Sequence, residues 1–196
     1  MATSVMSFRT SRILTKILIR DVQGCPSRRT LFGNILGAPD DTFSHRDRRL
    51  IGYSQEQMYA VISETKNYPE FLPWCTKLKR FDERDDSEKV LMTVGFPPFE
   101  ETYVSRVIFE EPSKVRSFSA EGTFFKDLDA LWTIEDCGKD SCILSFRINF
   151  KLKSRLHAPL AKVFFKSTAL TMSRAFIGRA GDLYGEPSCR EKRLKL

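Results

Sequence analysis

The chain has 196 residues, 41% of them hydrophobic and 29% charged, the proportions of an ordinary globular protein with length for one domain and an appended segment. Its formal charge of +7 is unevenly spread: nine basic and four acidic residues stand up to Arg49, leaving 23 basic against 21 acidic beyond it, so composition forces no nucleic-acid-binding face on the folded part. No apolar stretch reaches the ~20 residues that span a bilayer, and five scattered cysteines without a C-x-x-C pair read as reduced thiols.

Residues 1–37 are rich in Ser, Thr and Arg, with Asp21 as their single acid. Arg9, Arg12, Lys16 and Arg20 recur every three or four positions, so a helix gathers them on one arc with Leu14 and Leu18 opposite. A cationic, acid-poor amphipathic segment reads as a mitochondrial transit peptide, with removal expected near residues 28–33; a disordered basic tail is the alternative. We therefore set residues 1–43 apart as transit peptide and linker and expect one domain over 44–186. Residues 187–196, with Arg190, Lys192, Arg193 and Lys195, are expected to form a basic carboxyl-terminal tail.

Residues 44–51 read as an edge strand ended by Gly52 and Tyr53. Ser54 with Gln57 three positions on is a capping box, and Met58, Val61 and Ile62 supply the apolar stripe of a helix ending near Glu64. Pro69 and Pro73 allow only a brief helical turn after it. From Cys75 to Lys153 the period becomes two, broken near Asp85, Pro97, Pro112, Gly122 and Gly138, which predicts a meander of antiparallel strands. Cys137 and Cys142 flank the last turn and can face each other across a hairpin. In the final strand Cys142, Leu144, Phe146, Ile148, Phe150 and Leu152 share one face, while Ser145, Arg147, Asn149 and Lys151 share the other. Pro159 then opens a helix running to about Tyr184, roughly 40 Å at 1.5 Å per residue, long enough to cross a whole curled sheet. This order predicts an α+β helix-grip fold: a curved antiparallel sheet wrapped around a long carboxyl-terminal helix, with an apolar cavity between them.

Catalytic candidates are sparse. His45 and His157 have no sequence-local partner, and the adjacent pairs Glu100-Glu101, Glu110-Glu111 and Glu135-Asp136 put their members on opposite strand faces. Asp127 and Asp129 can share a face, more simply a solvated one. We assign no catalytic residue, metal or cofactor. The aromatics are more informative, because a sheet and a helix that both present rings can enclose a pocket as well as pack a core. The candidate lining and mouth comprise Tyr68, Phe71, Leu72 and Trp74 after the first helix and Val94, Phe96, Phe99 and Tyr103 around the Pro97-Pro98 turn. Phe118, Trp132, Phe146, Ile148 and Phe150 are added from later strands, and Val163, Phe164, Ser167, Leu170 and Thr171 from the final helix. The Tyr68 hydroxyl and the Trp74 indole N–H can each reach a ligand oxygen. Phe96 and Phe99 at a turn tip read as a cavity lid, a membrane-inserting wedge or core packing.

The segment Tyr68-Pro-Glu-Phe-Leu-Pro-Trp-Cys75, followed by Val94-Gly-Phe-Pro-Pro-Phe-Glu-Glu-Thr-Tyr103 and a closing long helix, resembles the mitochondrial coenzyme Q-binding proteins of the START-like superfamily over about residues 44–185. The resemblance implies the same helix-grip fold and the binding of ubiquinone and its lipophilic precursors as ligand, without enzymatic activity. It also implies a role in respiration and quinone biosynthesis at the mitochondrial inner membrane. We expect peripheral docking on the matrix side at an anionic lipid surface, with quinone-biosynthetic or respiratory complexes as partners and, given the nearly neutral core without aromatic-basic interleaving, no nucleic-acid partner. Polyketide cyclases and a bacterial inhibitor of ribosome association share the superfamily, so a cyclase/aromatase-like enzyme or a ribosome-associated factor is the alternative.

Overall fold

Prolines, glycines and a capped helix divide the chain into short elements that pair almost in sequence order. The computed structural model describes residues 41–96, 99–120, 122, 125–153 and 158–195, excepting the side chains at 96, 99, 158–164, 166, 167 and 170. The transit-peptide and linker assignment for 1–43 therefore lies outside the described residues, save at its last three positions. Strand β1 (Thr42–Ile51) leads to α1 (Gln55–Ser63), a single 3-10 turn (Thr65–Asn67) and the short α2 (Tyr68–Phe71). Six strands follow, β2 (Cys75–Phe81), β3 (Ser87–Phe96), β4 (Phe99–Glu110), β5 (Lys114–Ser119), β6 (Phe125–Gly138) and β7 (Ser141–Leu152), then α3 (Ala158–Tyr184) and the two-residue β8 (Lys192–Arg193). All pair in one antiparallel sheet of order β2-β3-β4-β5-β6-β7-β1-β8. The architecture is the expected α+β helix-grip: an eight-stranded sheet with the carboxyl-terminal helix packed against it.

Local chemistry accounts for the element ends. The Ser54 hydroxyl accepts from the Gln57 amide at 3.2 Å while the Gln57 side chain accepts from the Ser54 amide at 2.9 Å, so both limbs of the capping box are present. Pro69 stands in the first turn of α2, and Leu72, before Pro73, is already extended at φ −92°, ψ 105°. Lys139 and Asp140 both have positive φ, the geometry of a tight two-residue hairpin between β6 and β7.

The core lies where α1 and α3 meet the concave face. Met58, Ile62, Trp132, Ile134, Leu144, Phe146 and Phe176 are buried together. Phe176 of α3 packs edge-on against Tyr68, Phe71 and Trp132, with centroids 5.2, 5.1 and 4.8 Å away.

Two expectations about the sheet edge are revised. β1 is not outermost along its whole length, and residues beyond 186 are laid against it: Arg193 pairs with Arg49 and Lys192 with Leu50. The physical reason is buried charge. Asp47 and Arg49 point inward from β1, and a charge withdrawn from water needs partners. Arg49 Nε donates to Asp47 at 2.5 Å, Arg49 also pairs with Glu191, and Arg193 lies 3.3 Å from Asp47. Burial alone pushes the Asp47 carboxyl upward, but hydrogen bonds from Arg49 and Ser173 and the nearby guanidinium charges outweigh it and hold it below the usual range.

Candidate ligand-binding cavity

A cavity of about 230 Å³ lies between the concave sheet face and α3. Strand alternation builds it: Val90, Met92 and Val94 of β3, Glu101, Tyr103 and Val107 of β4, Val115 and Ser117 of β5, and Leu128, Ala130 and Trp132 of β6 all point inward. Phe146, Ile148, Phe150 and Leu152 of β7 continue the wall, the alternation that the sequence pattern shows most clearly. Phe165, Thr168, Ala169, Met172 and Phe176 of α3 face them, and Thr65, Tyr68, Leu72 and Trp74 close one side. Tyr103, Phe125 and Phe150 form a chain of rings 4.9 and 5.6 Å apart. Glu100, the exposed residue among the described lining, marks where the cavity meets solvent, beside the β3–β4 turn.

The polar groups of the wall are few and mostly engaged. The Tyr68 hydroxyl donates to the Ile62 carbonyl at 2.6 Å, so its proton is turned into the protein rather than toward a ligand, contrary to the role expected for it. Burial, with the charges of Glu88 and Cys75 behind it, raises that phenol far above its ordinary pKa. The Thr65 hydroxyl donates to buried Glu88, whose other oxygen accepts from Arg80 Nε at 2.5 Å. The Tyr103 hydroxyl lies 3.5 Å from the Met92 sulfur. Thr168 Oγ1 is buried and has no hydrogen-bond partner among the described residues. Within those residues no three His, Cys, Asp or Glu side chains converge to hold a metal, and no helix is long and apolar enough to cross a membrane.

Of the expected site residues, Tyr68, Leu72, Trp74, Val94, Tyr103, Trp132, Phe146, Ile148 and Phe150 come together in this wall. Three do not. Phe71 turns off the cavity into a second, smaller hollow between α1 and α3, where Arg179 lies over its ring at 5.7 Å. Phe118 falls on the outer sheet face because Val115, Ser117 and Ser119 hold the inward parity of β5, and the Arg116 guanidinium covers it at 5.4 Å. Thr171 faces solvent and donates to the Thr168 carbonyl. The side chains of Phe96, Phe99, Val163, Phe164, Ser167 and Leu170 lie outside the described residues, so the three readings of the Pro97-Pro98 turn stand as proposals. Asp129 points outward and pairs with Arg116 at 2.7 Å, as a solvated face would.

Several lining residues escaped sequence reasoning. Spacing points to the Val163, Phe164, Ser167, Leu170 and Thr171 face of α3, whereas among the described residues Phe165, Thr168, Ala169, Met172 and Phe176 line the cavity; α3 is only weakly amphipathic, so spacing discriminates poorly between its faces. Glu100 and Glu101 face opposite sides of β4, so sequence spacing offers no carboxylate pair there. Strand parity carried the needed signal, since Tyr103 two positions on faces inward.

Comparison with known proteins agrees with the fold. Residues 51–177 match the family described as polyketide cyclase / dehydrase and lipid transport. Coenzyme Q-binding protein COQ10 homolog B, mitochondrial, of Xenopus laevis is 35% identical over 144 residues, 72% of this chain and 59% of that protein. Coenzyme Q-binding protein COQ10, mitochondrial, of Drosophila melanogaster is 36% identical over 146 residues, 73% of this chain and 60% of that protein. The chain thus aligns with about three-fifths of the length of these relatives. A ribosome association toxin of Pseudomonas aeruginosa is 25% identical, with 69% of this chain and 94% of the toxin covered. In fold, the Zhui aromatase/cyclase from Streptomyces sp. R1128 superposes with a TM-score of 0.65 at 10% identity, covering 71% of this chain and 93% of that one. A family match across most of the domain, joined to these identities, leads to one conclusion: the chain belongs to the polyketide cyclase / dehydrase and lipid transport family and, within it, to the COQ10 family.

Proposed function

We propose that this protein is a carrier that binds coenzyme Q (ubiquinone) and its lipophilic precursors in the cavity and delivers them at the mitochondrial inner membrane, supporting respiratory electron transport and quinone biosynthesis. The observation that carries this reading is the aromatic, largely apolar space between the sheet and α3, bounded by Trp74, Tyr103, Phe125, Trp132, Phe150 and Phe176. At about 230 Å³ it lies below the ~300–1,000 Å³ of pockets for drug-sized ligands, so it suits a ring and the first part of its tail. The distal isoprenoid stays in the bilayer, because each CH₂ drawn into water forfeits ~0.8 kcal/mol of burial. Docking is peripheral, on the matrix side at an anionic lipid surface, after import removes the amino-terminal segment. The ligand leaves unchanged: Tyr68 and Thr65, which a catalytic reading would recruit, already hydrogen-bond to the protein.

Solvent extraction and mass spectrometry of protein purified from a quinone-making host test this reading. The expected release is an unaltered polyprenyl quinone or quinone precursor. An empty cavity combined with turnover of a supplied polyketide, or with co-sedimentation with ribosomal subunits, overturns it.

A further inference from the structure

The outer face of the sheet is divided by charge. Val90, Met92, Val94, Tyr103 and Val107 line the cavity, so strand alternation turns residues 89, 91 and 93 of β3 and 102, 104 and 106 of β4 outward. Leu78 of β2 packs against the core, which turns Lys77, Lys79 and Phe81 outward as well. Register joins these positions in three rows: Lys77, Thr93 and Thr102; Lys79, Leu91 and Val104; Phe81, Lys89 and Arg106. The nine positions hold four cations and no acid. Lys89 is answered by Asp82 at 2.8 Å, whereas Lys77, Lys79 and Arg106 have no ion pair among the described residues. Beyond β4 the signs are mixed and paired: Arg116 of β5 lies 2.7 Å from Asp129 of β6, and Arg48 of β1 lies 3.1 Å from Glu135 of β6. Phe81, Leu91 and Val104 are three of the five large apolar side chains left exposed among the described residues, so the cationic rows also carry most of the uncovered apolar surface.

A single exposed apolar side chain is ordinary, but apolar groups adjacent in register and flanked by unpaired cations mark a contact surface. The mixture selects the partner. An RNA strand offers phosphates to the cations but stacks its bases on aromatic planes, and Leu91 and Val104 at the centre of the patch are aliphatic. The boundary between lipid headgroups and acyl chains offers both anionic charge and an apolar phase. The rows also run up to the β3–β4 turn, where exposed Glu100 marks the opening of the cavity, so docking by this face holds the opening at the headgroup layer. On the reading that the protein delivers an apolar ligand at a membrane, we propose that the outer face of β2–β4, with Lys77, Lys79, Leu91, Val104 and Arg106, is its docking surface for anionic lipid.

Acetylation of lysines by an N-hydroxysuccinimide ester, read by peptide mass spectrometry on protein recovered from mitochondria of an expressing host, locates the contact residue by residue. Vesicles of phosphatidylcholine with cardiolipin should cut modification of exposed Lys77 and Lys79 severalfold and leave Lys139, exposed on the β6–β7 hairpin, unchanged. Phosphatidylcholine alone should protect none of them. Arg106→Gln removes one exposed cation and should raise the cardiolipin-vesicle concentration for half-protection roughly fivefold. Leu91→Thr with Val104→Thr keeps β-branched or strand-compatible side chains and should raise it too, while Arg46→Gln, on the exposed surface of β1, should leave it in place. Lys77 and Lys79 left unprotected by cardiolipin, protection as strong at Lys139, or protection by ribosomal subunits rather than vesicles each overturns the inference, and none of these depends on a variant folding. The carrier reading is read separately, from the ligand extracted from the same preparation. An unaltered quinone with unprotected lysines overturns the docking surface alone; an empty cavity together with polyketide turnover or ribosome co-sedimentation overturns both.

Discussion

Cys75 and Cys142 show how strongly position governs a side chain. Both are buried, and burial pushes their thiols from the ordinary 9.0 up to about 11 and about 12. Cys137, although next to the same hairpin turn, is exposed, so the pairing with Cys142 that the sequence allowed is not formed. Since the thiolate is the reactive species, Cys75 and Cys142 should resist iodoacetamide at pH 8 in the folded protein, with Cys137 labelled first; peptide mapping before and after denaturation checks this. The same shifts carry a sign for stability. A thiol that ionises near 9 when unfolded and only near 11 or 12 when folded keeps its proton longer in the native state. Stability is therefore intact below pH 9 and falls as pH rises from 9 toward those values. Rapid labelling of both buried thiols in native protein would contradict their placement.

At the scale of elements, the carboxyl-terminal strap and α3 mark the limit of what could be read beforehand. The α1 cap, the α2 turn and the hairpins were legible because each is encoded within a few residues: Ser54 with Gln57, Pro69 with Pro73, Gly138 before the turn. β8 was not, because its residues are basic and short, and their reason for pairing lies 140 positions away in the inward charges Asp47 and Arg49. The parity of Phe118 and the phase of α3 were likewise set by packing across the fold, where local spacing allowed more than one answer. The strap makes a specific demand at Gly52, whose carbonyl accepts from the Ser188 amide at 2.9 Å. A Cβ there would overlap the Cys189 backbone nitrogen and lie 2.7 Å from the Cys189 oxygen and the Ser188 nitrogen, backbone atoms that cannot swing aside. Gly52→Ala should therefore lift the strap, separating Glu191 and Arg193 from the buried pair. A loss of ~1–3 kcal/mol, within the range for a disturbed buried ion network, corresponds to a melting point roughly 3–10 °C lower for a domain of this size. Calorimetry reads the first effect, and faster tryptic cleavage after Arg190 and Lys192 reads the second. Unchanged cleavage would mean that the strap is held by something other than this contact.

For the molecule as a whole, the cavity is an energetic liability that requires a compensating use. Side chains that line an apolar space and face no partner atoms across it forgo dispersion contacts that a close-packed core would make, and a ligand can restore them. A ligand that fills it should stabilise the fold by mass action, about 2.7 kcal/mol at a hundred times Kd, or roughly 5–10 °C in melting temperature. Ala130 offers a way to separate ligand occupancy from simple packing. It is a small inward residue of β6 in the cavity wall, two positions from Trp132. Ala130→Leu adds three carbons to the void, and such cavity-filling changes commonly add ~0.5–2 kcal/mol of stability. The variant without ligand should melt at or above the parent's temperature, while the rise produced by decyl-ubiquinone should disappear because the new side chain takes the ring's place. Thermal melts of parent and variant, each with and without the quinone, give the four values required. A variant that melts early and still gains the full ligand shift would show that the quinone binds elsewhere and that the space beside Ala130 is closed packing.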